Sequence, residues 1–173
     1  MQALSHQKIK KFFKSQNPSV KDIRLSFFLQ SIDSAINVGH IFRLADAVNA
    51  TEIILSGRTP NPKDNGDIKI TSMGQENRIK YTHFVNHIDA INYCKNNGYN
   101  LYGLEVTEKS ELFTQVEYSK SVCLVLGNET NGIYPEVLHH CDKIIFIPMF
   151  GKNFSLNVHV SASIVAYQAL LSH

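Results

Sequence analysis

The chain has 173 residues, a length that suits one compact domain and is short for two. Hydrophobic residues make up 43% and charged residues 18%, with 9 glycines and 5 prolines, which excludes a disordered tail, a collagen-like repeat and a coiled coil. The net charge of +2 does not by itself call for a nucleic-acid partner.

No apolar run reaches the ~20 residues needed to cross a bilayer, so no membrane partner is expected. The opening MQALSHQKIKKFFK lacks the apolar centre of a secretory signal, and the cytoplasm is the expected location. Cys94, Cys123 and Cys141 are odd in number and show no C-x-x-C spacing, which argues for reduced thiols. The eight histidines carry no metal-ligand spacing, so no metal site is expected.

Charge is concentrated at the start. Lys8, Lys10, Lys11, Lys14, Lys21 and Arg24 stand against the single acid Asp22, which marks residues 1–23 as a basic N-terminal arm or helix ahead of a domain over 24–173. Such an arm could follow phosphates, or simply be a solvated helix that aids solubility.

Along the chain, short β-branched or aromatic runs at 25–30, 51–57, 100–106, 121–127 and 142–149 read as buried strands. Between and after them, residues 36–49, 86–97, 134–141 and 156–171 place apolar residues at helical spacing. Near-continuous apolar strands separated by helices predict an α/β fold, a mainly parallel sheet flanked by helices on both faces. Ligands of such sheets sit beyond the carboxyl ends of the strands. Residues 56–77, with two prolines and three glycines, read as a long loop or one holding a short helical turn.

Three stretches after strands carry candidate chemistry. In the first, Asn37, Gly39 and Arg43 open a helix that Ser34 could cap, and Asn37 and Arg43 are expected on roughly one face. An amide and a guanidinium there could grip a sugar and a phosphate, or Arg43 could pair with Asp46. In the second, a buried strand runs into Gly127-Asn128-Glu129-Thr130-Asn131-Gly132, with Pro135 near the next helix. The glycines permit a sharp turn and close ligand approach, and Glu129 places a carboxylate at the strand end. It could also be a plain polar turn. The Lys-Ser/Thr pair of a P-loop and the spacing of a dinucleotide fingerprint are both missing. In the third, a strand ends at Pro148 and a Gly151-Lys152-Asn153 loop leads to Ser155, a candidate helix N-cap. Asn157, in the first turn of an apolar helix, needs partners.

In this order and spacing, the three stretches resemble the motifs of the SpoU/TrmH-type RNA 2′-O-ribose methyltransferases of the SPOUT superfamily, over roughly residues 24–171. The family's Asn-x-Gly-(x)3-Arg is here Asn37, Gly39 and Arg43. Its Leu-Gly-x-Glu-x-x-Gly is Leu126, Gly127, Glu129 and Gly132. Its Ile-Pro-Met and Ser-Leu-Asn-Val are Ile147, Pro148, Met149, Ser155, Leu156, Asn157 and Val158. The resemblance implies a C-terminal deep trefoil knot, which general topology rules would argue against. It also implies S-adenosyl-L-methionine as cofactor, and a homodimer whose active site uses both subunits. By the same resemblance, Leu104, Thr107, Leu126, Gly127, Gly132, Ile147, Met149, Ser155 and Leu156 would bind the cofactor. Arg43, Asn37, Glu129, Ser155 and Asn157 would form the catalytic set.

This chain departs from the family pattern at three places: Ala35 where Pro is common, Asn49 where Gly is usual, and His159 where Ser commonly follows Asn-Val. Asn49 is expected to keep a left-handed turn. The implied activity is methylation of a ribose 2′-hydroxyl in RNA. With only a short basic segment before the first strand, transfer RNA is favoured over ribosomal RNA. Other readings are a non-catalytic RNA-binding module of the same fold, a methyltransferase acting on ribosomal RNA or an RNA base, and a small-molecule enzyme using a nucleotide cofactor.

Overall fold

The computed structural model of the chain describes residues 3–16 and 22–171. Residues 1–2 and 17–21 of the basic arm, Lys21 among them, and the final two residues of the 24–173 domain lie outside the described residues. Seven strands form one sheet: β1 (Arg24–Gln30), β2 (Glu52–Ser56), β3 (Tyr81–Phe84), β4 (Asn100–Leu104), β5 (Glu111–Leu112), β6 (Ser121–Leu126) and β7 (Lys143–Phe146). Their order is β3-β2-β1-β6-β4-β7-β5, and every neighbouring pair is parallel. Among the described residues the α-helices are α1 (His6–Gln16), α2 (Ala35–Ala47), α3 (Gly66–Ser72), α4 (His87–Asn96), α5 (Pro135–Leu138) and α6 (Val158–Leu171).

The two-residue period of the strands explains both cores. On one face, Leu25, Phe27 and Leu29 of β1 join Ile53 and Leu55 of β2 and Leu124 of β6 beneath α2 and α6. On the other, Phe28, Ile54, Cys123 and Val125 pack with Ala90, Ile91 and Cys94 of α4 and Val137 of α5. Burial on both faces is why these strands read as unbroken apolar runs. All strands being parallel, β1, β4, β6 and β7 end at one edge, which is where the three candidate stretches begin.

Several elements refine the sequence expectation. Residues 56–77 follow the second of their two readings, a loop holding helical structure: α3 is flanked by short 3-10 turns at Pro62–Asp64 and Gln75–Asn77. Asn65 caps α3 by accepting the Asp67 and Ile68 N–H groups. α3 packs on α2 at Gly39, where an added Cβ would press into the Thr71 side chain and lie 2.9 Å from the Ile68 carbonyl oxygen. The strand expected at 142–149 stops at Phe146, and the helix expected from 156 starts at Val158. β3, half-buried at the sheet edge, and β5, two residues long, had no apolar run to announce them. Asn49 does adopt the left-handed backbone, with φ 51°.

Candidate functional site

The first stretch folds as the capping rules dictate. Ser34 is the N-cap of α2, its hydroxyl accepting the Asn37 N–H at 3.3 Å. Asn37 is only 6% exposed, whereas Arg43 is exposed. Six residues turn a helix through about 600°, so the two side chains leave α2 about 120° apart rather than on one face. The alternative pairing of Arg43 with Asp46 is also absent: Asp46 lies 3.9 Å from Arg78. Arg43 therefore keeps its guanidinium free of ion pairs among the described residues.

The second stretch is a tight hairpin. Asn128 and Gly132 exchange backbone hydrogen bonds at 3.0 and 2.9 Å, and Gly132 takes φ +65°. Asn128 is buried and organises the turn: its Oδ1 accepts the Thr130 and Asn131 N–H groups, and its Nδ2 donates to the Ser31 carbonyl and the Asp33 carboxylate. A Cβ on Gly127 would collide with the backbone of Gly132 and Ile133, so only glycine fits beneath the hairpin.

Glu129 reaches from this hairpin to the start of α2. Its carboxylate accepts the Asp33 N–H at 2.9 Å, the Ser34 N–H at 3.1 Å and the Asn37 Nδ2 at 2.9 Å. Partial burial pushes its pKa up, but the hydrogen bonds from Asp33, Asn37 and Ser34 outweigh that and hold it below the ordinary carboxylate value. Glu129 stays ionised at the positive end of the α2 dipole.

In the third stretch, Ser155 is exposed and does not cap α6. Asn157 does, its Oδ1 accepting the His159 N–H at 3.1 Å and its carbonyl the Val160 and Ser161 N–H groups. The helix starts two residues late because the capping side chain is Asn157, which answers the question of that amide's partner. His159 in turn approaches Asn37, Nδ1 to Oδ1, at 3.3 Å.

At the carboxyl edge of the sheet these segments enclose a cavity of ≈ 520 Å³, within the size range of small-ligand and cofactor sites. Leu104, Leu126, Gly127, Gly132, Ile147, Met149, Ser155 and Leu156 line it, with Glu129 and Asn157 of the expected catalytic set. Thr107, Asn37 and Arg43 are not in its wall. Thr107 forms a turn with Ser110, and Asn37 stands behind Glu129.

Glu105 and Asn128 were not singled out by sequence, although Glu105 directly follows a strand end. Its carboxylate accepts the Ile133 and Val106 N–H groups, both at 3.0 Å. The wall thus contains two carboxylates, Glu105 and Glu129, and no lysine or arginine. Such a wall favours a cationic ligand and repels a polyphosphate. Among the described residues, no group of three or more His, Cys, Asp or Glu is placed to hold a metal ion.

The chain is also similar to known proteins. Residues 24–167 match the family described as SpoU rRNA Methylase. The chain is 30% identical over 146 residues to a tRNA (guanosine(18)-2′-O)-methyltransferase of Aquifex aeolicus, covering 84% of this chain and 68% of the relative. It is 30% identical over 151 residues to a 23S rRNA (guanosine-2′-O-)-methyltransferase of Xanthomonas axonopodis, over 84% of this chain and 58% of that one. Among solved structures, the AdoMet-bound rRNA methyltransferase of Sinorhizobium meliloti superposes with a TM-score of 0.79 at 28% identity, over 84% of this chain and 55% of that chain. The chain therefore spans little more than half the length of the last two.

Proposed function

The chain belongs to the SpoU rRNA Methylase family, and from that premise we propose that it methylates a ribose 2′-hydroxyl in RNA with S-adenosyl-L-methionine as donor. The observation that carries this reading is the cavity, whose apolar Leu104, Ile147 and Leu156 suit a nucleoside and whose Glu105 and Glu129 suit a cation. A dinucleotide or nucleoside triphosphate is disfavoured by the same wall. Bound there, S-adenosyl-L-methionine supplies an electrophilic sulfonium methyl.

The protein's own task is positioning. Leu126, Gly127 and Gly132 hold the hairpin wall, and Ile147, Met149, Ser155 and Leu156 the opposite one, with Leu104 alongside and Thr107 beyond the wall in the turn that follows β4. Glu129, Asn37, Ser155 and Asn157 shape the acceptor side. Arg43 orients the ribose hydroxyl and offsets the negative charge that develops on its oxygen. A guanidinium stays protonated, so the departing proton passes to water rather than to Arg43.

Arg43 is exposed and outside the cavity wall, and α6 leaves Val160, Ile164, Tyr167 and Leu171 between 37% and 47% exposed at helical spacing. Both features support a homodimer in which α6 is covered and the active site is completed by the partner's Arg43. The irregular segment 147–157, which lines the cavity between β7 and α6, supports the family's trefoil knot at this place. Residues 24–173 form the methyltransferase domain, and the lysines of α1 give the 1–23 segment an RNA-contacting role. No described helix is long and apolar enough to cross a membrane, and the cytoplasm, where the RNA is, is the place of action.

Transfer of labelled methyl from S-adenosyl-L-methionine to unmodified transfer RNA and, in parallel, ribosomal RNA tests this, with the product digested to locate the label. The expected result is label on a ribose 2′-oxygen, with transfer RNA the favoured acceptor. Label confined to bases, or cofactor binding with no transfer to either pool, overturns it.

A further inference from the structure

His159 departs from the family pattern and lies outside the cavity wall, yet it reaches the centre of the network behind it. Glu129 is an ionised carboxylate and can only accept hydrogen bonds, so the Asn37 side chain must turn its NH2 toward it. That leaves the Asn37 Oδ1 on the far side, 3.3 Å from His159 Nδ1. An amide oxygen offers no proton, so His159 Nδ1 must carry the hydrogen, and the neutral ring keeps its lone pair on Nε2. The ring also leans on His40 of α2, with centroids 4.5 Å apart and planes inclined by 36°. Partial burial, and then His40, lower the His159 pKa.

The chain of contacts His159–Asn37–Glu129 joins all three motif segments: the start of α6, the start of α2 and the 127–132 hairpin. Asn37 is almost fully buried, so without His159 its oxygen would have no partner in this network. We propose that His159 is a positioning residue of the transfer site, whose Nδ1–H locks the Asn37 amide in the orientation that serves Glu129. The lock aligns the Ser155–Asn157 wall with the hairpin wall across the cavity. This inference rests on the methyltransferase reading and adds a residue that the family motifs do not contain.

Two variants separate the hydrogen bond from packing. His159→Asn places an amide N–H near the Nδ1 position, and His159→Leu removes the donor, while both lose the contact with the His40 ring. The expected result is a loss of about tenfold in kcat for His159→Leu with the cofactor KM within about twofold, and His159→Asn within about threefold of the unchanged protein in kcat. Long-range 15N–1H spectra of the cofactor-free protein should show His159 as the Nδ1–H tautomer. An Nε2–H tautomer, equal slowing by both substitutions, or no slowing by His159→Leu overturns the proposal. Should the unchanged protein transfer no methyl to RNA, the methyltransferase reading fails, and the tautomer spectrum still decides whether the lock exists.

Discussion

The Glu129 carboxylate and the Asn37 amide, 92 positions apart in the chain, meet at 2.9 Å. The same carboxylate takes the Asp33 and Ser34 N–H groups, so a residue of the cavity wall also caps α2 from outside its own segment. Site and scaffold are therefore one network, and a change meant for the chemistry will also register in stability.

Glu129→Gln replaces one carboxylate oxygen by an NH2 and so leaves at least one of the three donors facing another donor. The expected cost is about 1 kcal/mol, at the low end for a charged acceptor because Glu129 is partly solvent-accessible. The carboxyl pKa is held below its ordinary value, so its stabilisation is complete above that value and is lost as pH falls through the folded-state pKa. Thermal unfolding should show the full gap between variant and unchanged protein at pH 7. The gap should close progressively below pH 4.5, the ordinary value; a gap that does not vary with pH would refute the capping role.

Gly127→Ala forces a methyl group into the backbone of Gly132 and Ile133. Overpacking of this kind costs about 1–3 kcal/mol and displaces the hairpin. Cofactor binding, measured by calorimetry, should weaken at least about tenfold. Gly151→Ala is the control, since nothing lies within 4 Å of the added carbon. Equal affinities for the two variants would show that the hairpin does not hold the cofactor.

Arg43→Lys keeps the charge and loses the planar fork. If Arg43 orients the hydroxyl, both Arg43→Lys and Arg43→Ala should reduce turnover by about a hundredfold or more, with cofactor affinity unchanged. Near-normal turnover by the lysine variant would reduce Arg43 to a generic cation.

Ile164→Asp places a charge in the middle of the exposed apolar stripe of α6. Sedimentation should show a dimer for the unchanged protein and a monomer for the variant, with turnover lost and folding retained by circular dichroism. A monomeric unchanged protein would remove the homodimer and the shared active site together.

Much of the fold could be read from local pattern. β1, β2, β4 and β6 are buried on both faces, so their apolar runs stand out, and Ser34, Pro135 and Asn49 sit where capping and turn chemistry place them. β3 and β5 escaped because a half-buried edge strand and a two-residue strand carry no comparable run. The helical turn that the sequence allowed within 56–77 is a seven-residue helix with a local cap at Asn65, whereas its packing on α2 at Gly39 is a contact no window of sequence contains.

The site divides in the same way. Sequence alone determined which residue types follow which strands, because a buried parallel strand must end in a polar or glycine-bearing turn, and it named Glu129 and Asn157 without assigning either its partner. Only the tertiary structure decided that Glu129 caps a helix 92 residues earlier in the chain, that Asn157 rather than Ser155 starts α6, and that Asn37 is buried against Glu129 while Arg43 is exposed. It also brought in Glu105 and gave His159 its partners, Asn37 and His40. Their roles depend on where β4 and α6 end relative to other segments, and such distances are set by how the sheet packs rather than by spacing along the chain.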